Sequence, residues 1–402
     1  MSWTTVRIGD HCEITSSKRI FLSDYVDAGI PFWRSKEVIE QENGQSISDP
    51  LFITHDKYEE IKNRFGVPKP GDMLLTSVGT IGIPFIVKST SPFYFKDGNL
   101  TWFRNFAVTL SSRYLYYWIK SNTGHQTLNN LTIGSSQKAL TIENLKNAKI
   151  PLPDLPTQRR IASILSAYDD LIENNRRQIK LLEEAAQRLY REWFVELRFP
   201  GHEGVKVVDG VPEGWMKGTL NTIAEFTGKK ANKAERERYK CYLPIDCLPK
   251  KSLAYINHDN ISNAESSLLS FAKYDIIFGA MRPYFHKVVI AQEEGLTRST
   301  CFVINSRSKE YWSYVCMLLF SEEAIDYATH VSVGTTMPYV RWKDFEHMPV
   351  LIPSQKVAAH FHEMLLPIIQ KISCIAKHIA LLSEARDRLL PKLMSGEMEA
   401  SE

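Results

Sequence analysis

The chain spells one pattern twice. Residues 133–153, IGSSQKALTIENLKNAKIPLP, align on residues 333–353, VGTTMPYVRWKDFEHMPVLIP, at an offset of 200. That offset places Gly134 on Gly334, Ser135-Ser136 on Thr335-Thr336, Leu145 on Phe345 and Pro153 on Pro353. Nearer the N-terminus, SWTTVRIGDHCEI from Ser2 resembles GWMKGTLNTIAEF from Gly214, with Trp3 on Trp215 and Glu13 on Glu225. Between them, GDMLLTS from Gly71 answers YDIIFGA from Tyr274, with Asp72 on Asp275. The offset drifts from 212 to 203 to 200, so loops of unequal length interrupt a shared frame. Internal repetition means one supersecondary unit built twice, which excludes most single-domain architectures at once.

Each repeat ends in a long helix. Pro156-Thr157-Gln158 and Pro353-Ser354-Gln355 open the two segments, with Thr157 or Ser354 expected as N-cap. The first places Ile161, Leu165, Tyr168, Ile172, Asn175, Ile179, Leu182, Ala186, Leu189 and Trp193 at alternating steps of four and three. The second places Phe361, Leu365, Ile368, Ile372, Ile375, Ile379, Leu382, Arg386, Leu389 and Leu393 at the same steps, each again offset by 200. A mean step of 3.5 is the spacing of a coiled-coil seam. A helix of about 40 residues would be about 60 Å long, a spacer rather than a core element. Two matching seams pack most simply on each other, antiparallel and related by a pseudo-two-fold axis. Pro367 and Pro391 are expected to kink or shorten the second helix. Asn175, polar within the seam, suits a register-fixing role.

The segments before the helices read as mixed heads. DMLLTSVGTIGIPFIV and YDIIFGA are strand-like runs punctuated by Gly and Pro, and FYFKDGNLTWF carries a DG hairpin turn. Arg113 to Lys120 and Trp312 to Phe320 read as one short helix per head. The fold class expected is α+β: two tandem mixed α/β domains separated by two long helices that form an antiparallel coiled coil. The boundaries fall at 1–152 for the first head, 153–199 for the central helix, 200–352 for the second head and 353–402 for the distal helix and tail.

With 44% hydrophobic and 24% charged residues, the 402-residue chain has the composition of an ordinary soluble protein. Its longest apolar stretch, near Tyr311 to Phe320, is too short to span a bilayer. Six cysteines without CxxC or zinc spacing point to reduced thiols in the cytoplasm. The net charge of +3 rules out a uniformly basic protein, although Lys229, Lys230, Lys233, Arg236, Arg238 and Lys240 face only Glu235 and Glu237 locally. No GxxxxGK[ST], GxSxG, HExxH or N/D-P-P-Y/F string occurs. His360 and His362 on the second helix, and the pairs Asp169-Asp170 and Glu183-Glu184 on the first, read as wet-face residues. No catalytic constellation emerges, and no metal site is expected.

The helix residues resemble a known family. PLPDLPTQRRIASILSAYDDLIENNRRQIKLLEEAAQRLYREWF, from Pro151 to Phe194, is similar to the central conserved segment of specificity subunits of type I restriction-modification systems. IPSQKVAAHFHEMLLPIIQ and ALLSEARDRLLPKLMSGEM resemble their distal conserved segment. The resemblance implies that each head is a target recognition domain reading one half of a split double-stranded DNA site. It implies that the helices set the gap and dock two modification (methyltransferase) subunits, with restriction (motor-nuclease) subunits joining that core. S-adenosylmethionine, ATP and magnesium would then belong to the partners, no cofactor to this non-catalytic chain, and no membrane to its surroundings.

Base reading needs donors and acceptors at base edges, held in register by phosphate contacts. In the first head the candidates are Lys18, Arg19, Arg34, Lys36, the turn containing Ser77, Gly79 and Thr80, and the repeat loop Ser135, Ser136, Gln137 and Lys138. In the second they are Lys229, Lys230, Arg282, Tyr284, Lys287, Arg298, Thr335 and Thr336. Arg282, in RPY after a buried strand, is the leading candidate for a guanine. The seam residues Ile161, Leu165, Ile172, Ile179, Leu182, Leu189, Phe361, Leu365, Ile372, Ile379, Leu382 and Leu389 are expected to pack, and Arg386 to face a partner subunit. The rival readings are a protein-interaction scaffold on a coiled coil, which would lack salt-dependent DNA affinity, and a self-contained methyltransferase or nuclease, which would bind a cofactor.

Overall fold

A computed structural model describes residues 3–45, 47–134 and 138–399. The chain forms two compact units, one of Met1–Glu173 with Leu382–Glu402 and one of Asn174–Leu381. Each long helix thus contributes to both.

In the first unit, strand Thr4–Arg7 pairs antiparallel with Lys149–Leu152, Thr4 opposite Leu152. This clip brings the start of the head to the foot of the first long helix. An antiparallel sheet follows in the order Glu13–Thr15, Leu100–Arg104, Met73–Thr76, Pro84–Ile86. Met73 to Thr76 are all buried, the pattern of a strand covered on both faces. A second sheet runs Tyr25–Val26, Leu51–Ile53, Ile30–Trp33, Tyr94–Phe95, its last pair parallel. Helix Ser112–Lys120 presses Tyr114, Leu115 and Trp118 into the core, and Ser121 then caps helix Asn122–Leu131 through the amide of Gly124.

The second unit repeats this frame. Met216–Thr219 pairs with Pro349–Ile352, and the first sheet runs Ala224–Phe226, Cys301–Ser306, Ile276–Gly279, Val288–Ile290, the same order of counterparts. The aligned acids do the same work. Asp72 accepts from the Lys69 amide and Trp102 Nε1, and Asp275 from the Ala272 amide and Asn305. Tyr114 and Tyr314 donate to the carbonyls of Pro151 and Leu351. The second sheets differ. Lys229–Ala231, Leu268–Phe271, Gly295–Arg298, Cys241–Tyr242 puts inside the sheet the strand whose counterpart, Tyr94–Phe95, lies at an edge in the first unit. The loop insertions that shift the repeat offset lie around these strands.

The long helices are Leu155–Tyr190, continued by a π-helical turn Arg191–Val195, and Gln355–Ser395. Asp154 rather than Thr157 caps the first, accepting from the Thr157 amide at 3.0 Å, and Ser354 caps the second through the Val357 amide. The two caps are offset by 200. In the first unit Ile161 and Leu165 share a core with Leu390, Leu393 and Met394, so the start of one helix lies along the end of the other. In the second unit Ala186, Tyr190, Trp193 and Phe194 share a core with Phe361, Leu365 and Ile369. All twenty seam positions named above are buried or half-buried.

Four expectations about these helices are corrected. Pro367 and Pro391 do not shorten the second helix, which is assigned unbroken across both. Both prolines are exposed, and the carbonyls they leave without a donor belong to exposed Glu363 and Asp387, where water can bond them. Glu183 is buried, accepting from the Leu253 amide at 2.7 Å and the Ser252 hydroxyl at 2.8 Å. His362 is buried against the Ser313 hydroxyl at 2.8 Å. Arg386 is held within the first unit by Asp169, not left free for a partner. The second helix is also long and apolar enough, by length and composition, to cross a membrane. Near its two ends Phe361, Leu365 and Ile369, and Leu390, Leu393 and Met394, share cores with residues of the first helix.

Candidate nucleic-acid interface

Two loops meet at the same place in each unit. In the second, strand Ile276–Gly279 runs into Ala280, whose amide donates to the Thr300 carbonyl at 2.9 Å. Met281 then bridges to Tyr339, and Val333 bridges to Tyr339 in turn, which closes the loop 334–338. In the first, Ser77 donates its amide to the Asn99 carbonyl at 2.8 Å, Val78 bridges to Ala139, and Ile133 bridges to Ala139. Gly134 and Gly334 both sit at positive φ, 94° and 97°, where a turn of this kind favours glycine.

Arg282 is the distinctive residue of this site. It occupies the left-handed region at φ 49°, ψ 61°, a conformation that costs a non-glycine residue on the order of 1 kcal/mol. The second loop holds it there. Its amide donates to the Pro338 carbonyl at 2.7 Å and its guanidinium to the Thr336 carbonyl at 3.3 Å, while its Nε is buried with no partner. In the first unit the residue one beyond the matching bridge is Gly79, at φ 80°, with open space where a Cβ would stand. Around Arg282 the surface carries exposed Thr335, Thr336, Met337, Tyr339 and Tyr284. Met337 and Tyr339 are absent from the sequence-based candidates. Only the bridges, which close the loop around Met337 and bring Tyr339 to Met281, single them out.

The other candidates divide. Gly79, Thr80 and Lys138 are exposed on the first unit's loop pair, whereas Ser135, Ser136 and Gln137 lie outside the described residues. Lys18, Arg19 and Lys36 are exposed, Lys18 lying 4.8 Å over the Phe65 ring and Arg19 bonded to Asp97 at 3.0 Å. Lys229 and Lys230 lie on the edge strand of the second sheet, and Arg298 ends a strand two places in, one register step from Ala231 through Leu268. Three candidates are spoken for inside the fold. Ser77 is buried and bonded to Thr101 at 2.7 Å. Arg34 is committed to the buried Glu37 at 2.6 Å, where it anchors the start of helix Ser35–Glu42. Lys287 donates to the Ile245 carbonyl at 2.7 Å.

Burial pushes the thiols of Cys12 and Cys241 up to about 12 and that of Cys301 up to about 11, which leaves them unreactive near neutrality. Among the described residues no group of three or more His, Cys, Asp or Glu is placed to hold a metal ion.

Each unit thus carries a pair of bridged loops on a strand-rich head next to the long helices. Residues 1–184 match the family described as the type I restriction modification DNA specificity domain. Over its full length the chain is 30% identical to the type I restriction enzyme MjaIX specificity subunit of Methanocaldococcus jannaschii, covering 94% of that protein. It is 21% identical to the EcoDI specificity subunit of Escherichia coli over 73% of this chain and 71% of that one. The S subunit of a type I restriction-modification system from M. genitalium has a similar fold, with a TM-score of 0.60 at 15% identity, covering 98% of this chain and 96% of that one. The chain belongs to the family of type I restriction enzyme specificity subunits.

Proposed function

We propose that this chain is the non-catalytic reading subunit of a type I restriction-modification complex, each head contacting one half of a bipartite DNA target. The observation that carries this reading is the recurrence of the bridged loop pair at equivalent places in both units, Val78 with Ala139 and Met281 with Tyr339. Paired loops on rigid strands are the type of platform that presents side chains to a groove. In the second head Arg282, tethered to Thr336, offers its guanidinium fork to a guanine edge, with Tyr284, Met337 and Tyr339 beside it. In the first head Gly79, Thr80 and Lys138 occupy the corresponding ground. Lys229, Lys230 and Arg298, and Lys18, Arg19 and Lys36, supply phosphate contacts.

The two long helices act as a coiled-coil spacer that sets the gap between half-sites and docks two modification subunits. Leu181 and Leu381, 64% and 61% exposed, lie off the seam at positions 200 apart, as suits two identical partners. Restriction subunits join that core, and S-adenosylmethionine, ATP and magnesium are bound by the partners. The complex works in the cytoplasm, consistent with six free thiols.

The test is binding of the full chain, alone and with a type I modification subunit, to a pool of random duplexes across a salt series. A reader touching six phosphates or more loses affinity by about 10³-fold between 50 and 200 mM salt. A protein-interaction scaffold shows no retained duplex and no such slope.

A further inference from the structure

Phe21 and Leu22 are neighbours in sequence and both stand in solvent, 62% and 83% exposed. Single exposed apolar residues are ordinary, but an adjacent pair on a fixed turn is less so. The turn is Leu22–Asp24, locked by the Phe21 amide donating to Asp24 Oδ2 at 2.9 Å and the Asp24 amide donating back to the Phe21 carbonyl at 2.9 Å. The preceding chain is pinned as well. Lys18 donates its amide to the Tyr94 hydroxyl at 2.6 Å, and Ile20 is buried in a core with Phe32 and Ile53. The fold therefore holds two apolar side chains outward on a rigid support.

The chain just before the pair carries exposed Lys18 and Arg19, and the turn itself carries the carboxylate of Asp24. Lys18 and Arg64 flank the Phe65 ring at 4.8 and 5.1 Å, and exposed Arg19 reaches Asp97. Asp97 opens the turn whose Asn99 carbonyl accepts from Ser77, and Ser77 in turn accepts from the Leu140 amide at the close of the repeat loop. The turn carrying Phe21 is thus linked to the loop pair through residues 97–99.

The second unit carries a capped turn at a different place in its chain order. There the Asn232 amide donates to Glu235 at 2.9 Å ahead of the turn Lys233–Arg238, which follows its sheet strand Lys229–Ala231, whereas the turn Leu22–Asp24 precedes its strand Tyr25–Val26. Around the turn Lys233–Arg238, Lys229, Lys230, Arg238 and Lys240 are exposed, together with Asn232, Ala234 and Glu237.

We propose that Phe21 and Leu22 form a wedge that enters a base step of the duplex held by the first head, unstacking it, while Lys18 and Arg19 hold the flanking phosphates. This rests on the reading of the head as a DNA reader. Phe and Leu are among the side chains used in this way, and their burial between bases offsets the lost stacking.

The experiment is permanganate probing of duplexes selected from a random pool by the full chain assembled with a type I modification subunit. Permanganate attacks unstacked thymines. The expected result is a hyper-reactive thymine at a fixed position in one half-site, lost in the Phe21→Ser, Leu22→Ser double variant, with affinity reduced about tenfold or more. Val108→Ser is the control. That residue is 87% exposed beside Thr109, whose carbonyl accepts from Gln158 at the foot of the first long helix, and its loss should change neither signal. Circular dichroism melts identical to the parent chain show that the double variant folds. Bound duplexes without the hyper-reactive thymine, or with one that survives the double substitution, overturn the wedge while leaving the reading function intact. Unchanged DNA binding with loss of the modification subunit makes the pair a protein contact and likewise overturns it. Failure to select any duplex overturns the reading function, and the wedge with it.

Discussion

Arg386 of the second long helix donates to Asp169 of the first at 2.6 Å, and the other oxygen of Asp169 accepts from the Tyr117 hydroxyl at 2.6 Å. Each of the three has a counterpart in the second unit at an offset of 200: Met317 for Tyr117, Ile369 for Asp169 and Ala186 for Arg386. All three counterparts lie in one apolar core. The equivalent positions are therefore a polar triad in one unit and apolar core residues in the other.

This gives the first prediction. Arg386→Ala alone leaves a half-buried carboxylate and a tyrosine without their cation, and should destabilise the first unit by about 2 kcal/mol. The triple variant Tyr117→Met, Asp169→Ile, Arg386→Ala copies the other junction and should recover that loss. Urea denaturation of the three proteins decides it, and a triple variant weaker than Arg386→Ala would mean that the two junctions are not equivalent.

Glu183 supplies a pH prediction. Burial, which outweighs the donors Ser252 and Leu253, pushes its carboxyl up to about 7. The folded state thus binds this proton more tightly than the unfolded chain. The stabilisation is full below the ordinary carboxylate range, falls as pH rises, and is gone above about pH 7. Glu183→Gln keeps an acceptor for the Leu253 amide and removes the charge. It should be the more stable protein at pH 8, by about 2 kcal/mol, and should lose the parent's decline in melting temperature between pH 5 and 7. Parallel melting curves for parent and variant would contradict the assignment.

Arg282 separates stability from function. Its left-handed backbone makes Arg282→Gly tolerable, and the melting temperature should stay level or rise, because glycine takes this conformation without strain. DNA affinity should fall by about 1–3 kcal/mol if the guanidinium contacts a base in a bidentate fashion. A variant that melts early while binding normally would assign Arg282 to the fold.

The spacer can be lengthened. Seven residues inserted at matching points of both long helices keep the seam in phase and add about 10 Å. The gap between half-sites should grow by about three base pairs, since each rises about 3.4 Å. Methylated sites with an unchanged gap would show that the helices do not set it.

What could be read from the sequence was whatever the repeat and the period of 3.5 enforce. The seam positions are spaced by helix geometry, and the strands around Asp72 and Asp275 share one local hydrogen-bonding task, so both are legible without coordinates. The order of the second sheets was not, because strands of two to four residues paired across long loops leave little periodicity to read. Burial of individual polar residues was hidden too. Ser77 and Glu183 look like surface residues in isolation, and only their partners Thr101 and Leu253, distant in sequence, reveal otherwise. Of the interface, the loops were legible through Gly134 and Gly334, whereas Met337 and Tyr339 emerged only when the bridges closed the loop around them.

The most direct measurement is methylation mapping of DNA from cells that carry a type I modification subunit with this chain, without it, and with its Arg282→Gly variant. The account requires a split methylated motif that appears only when the chain is present, and a variant that relaxes or loses one half of that motif while the other half persists. No new motif despite a verified complex, or a variant that leaves both halves intact, would contradict the claim that each head reads its own half-site through the bridged loops.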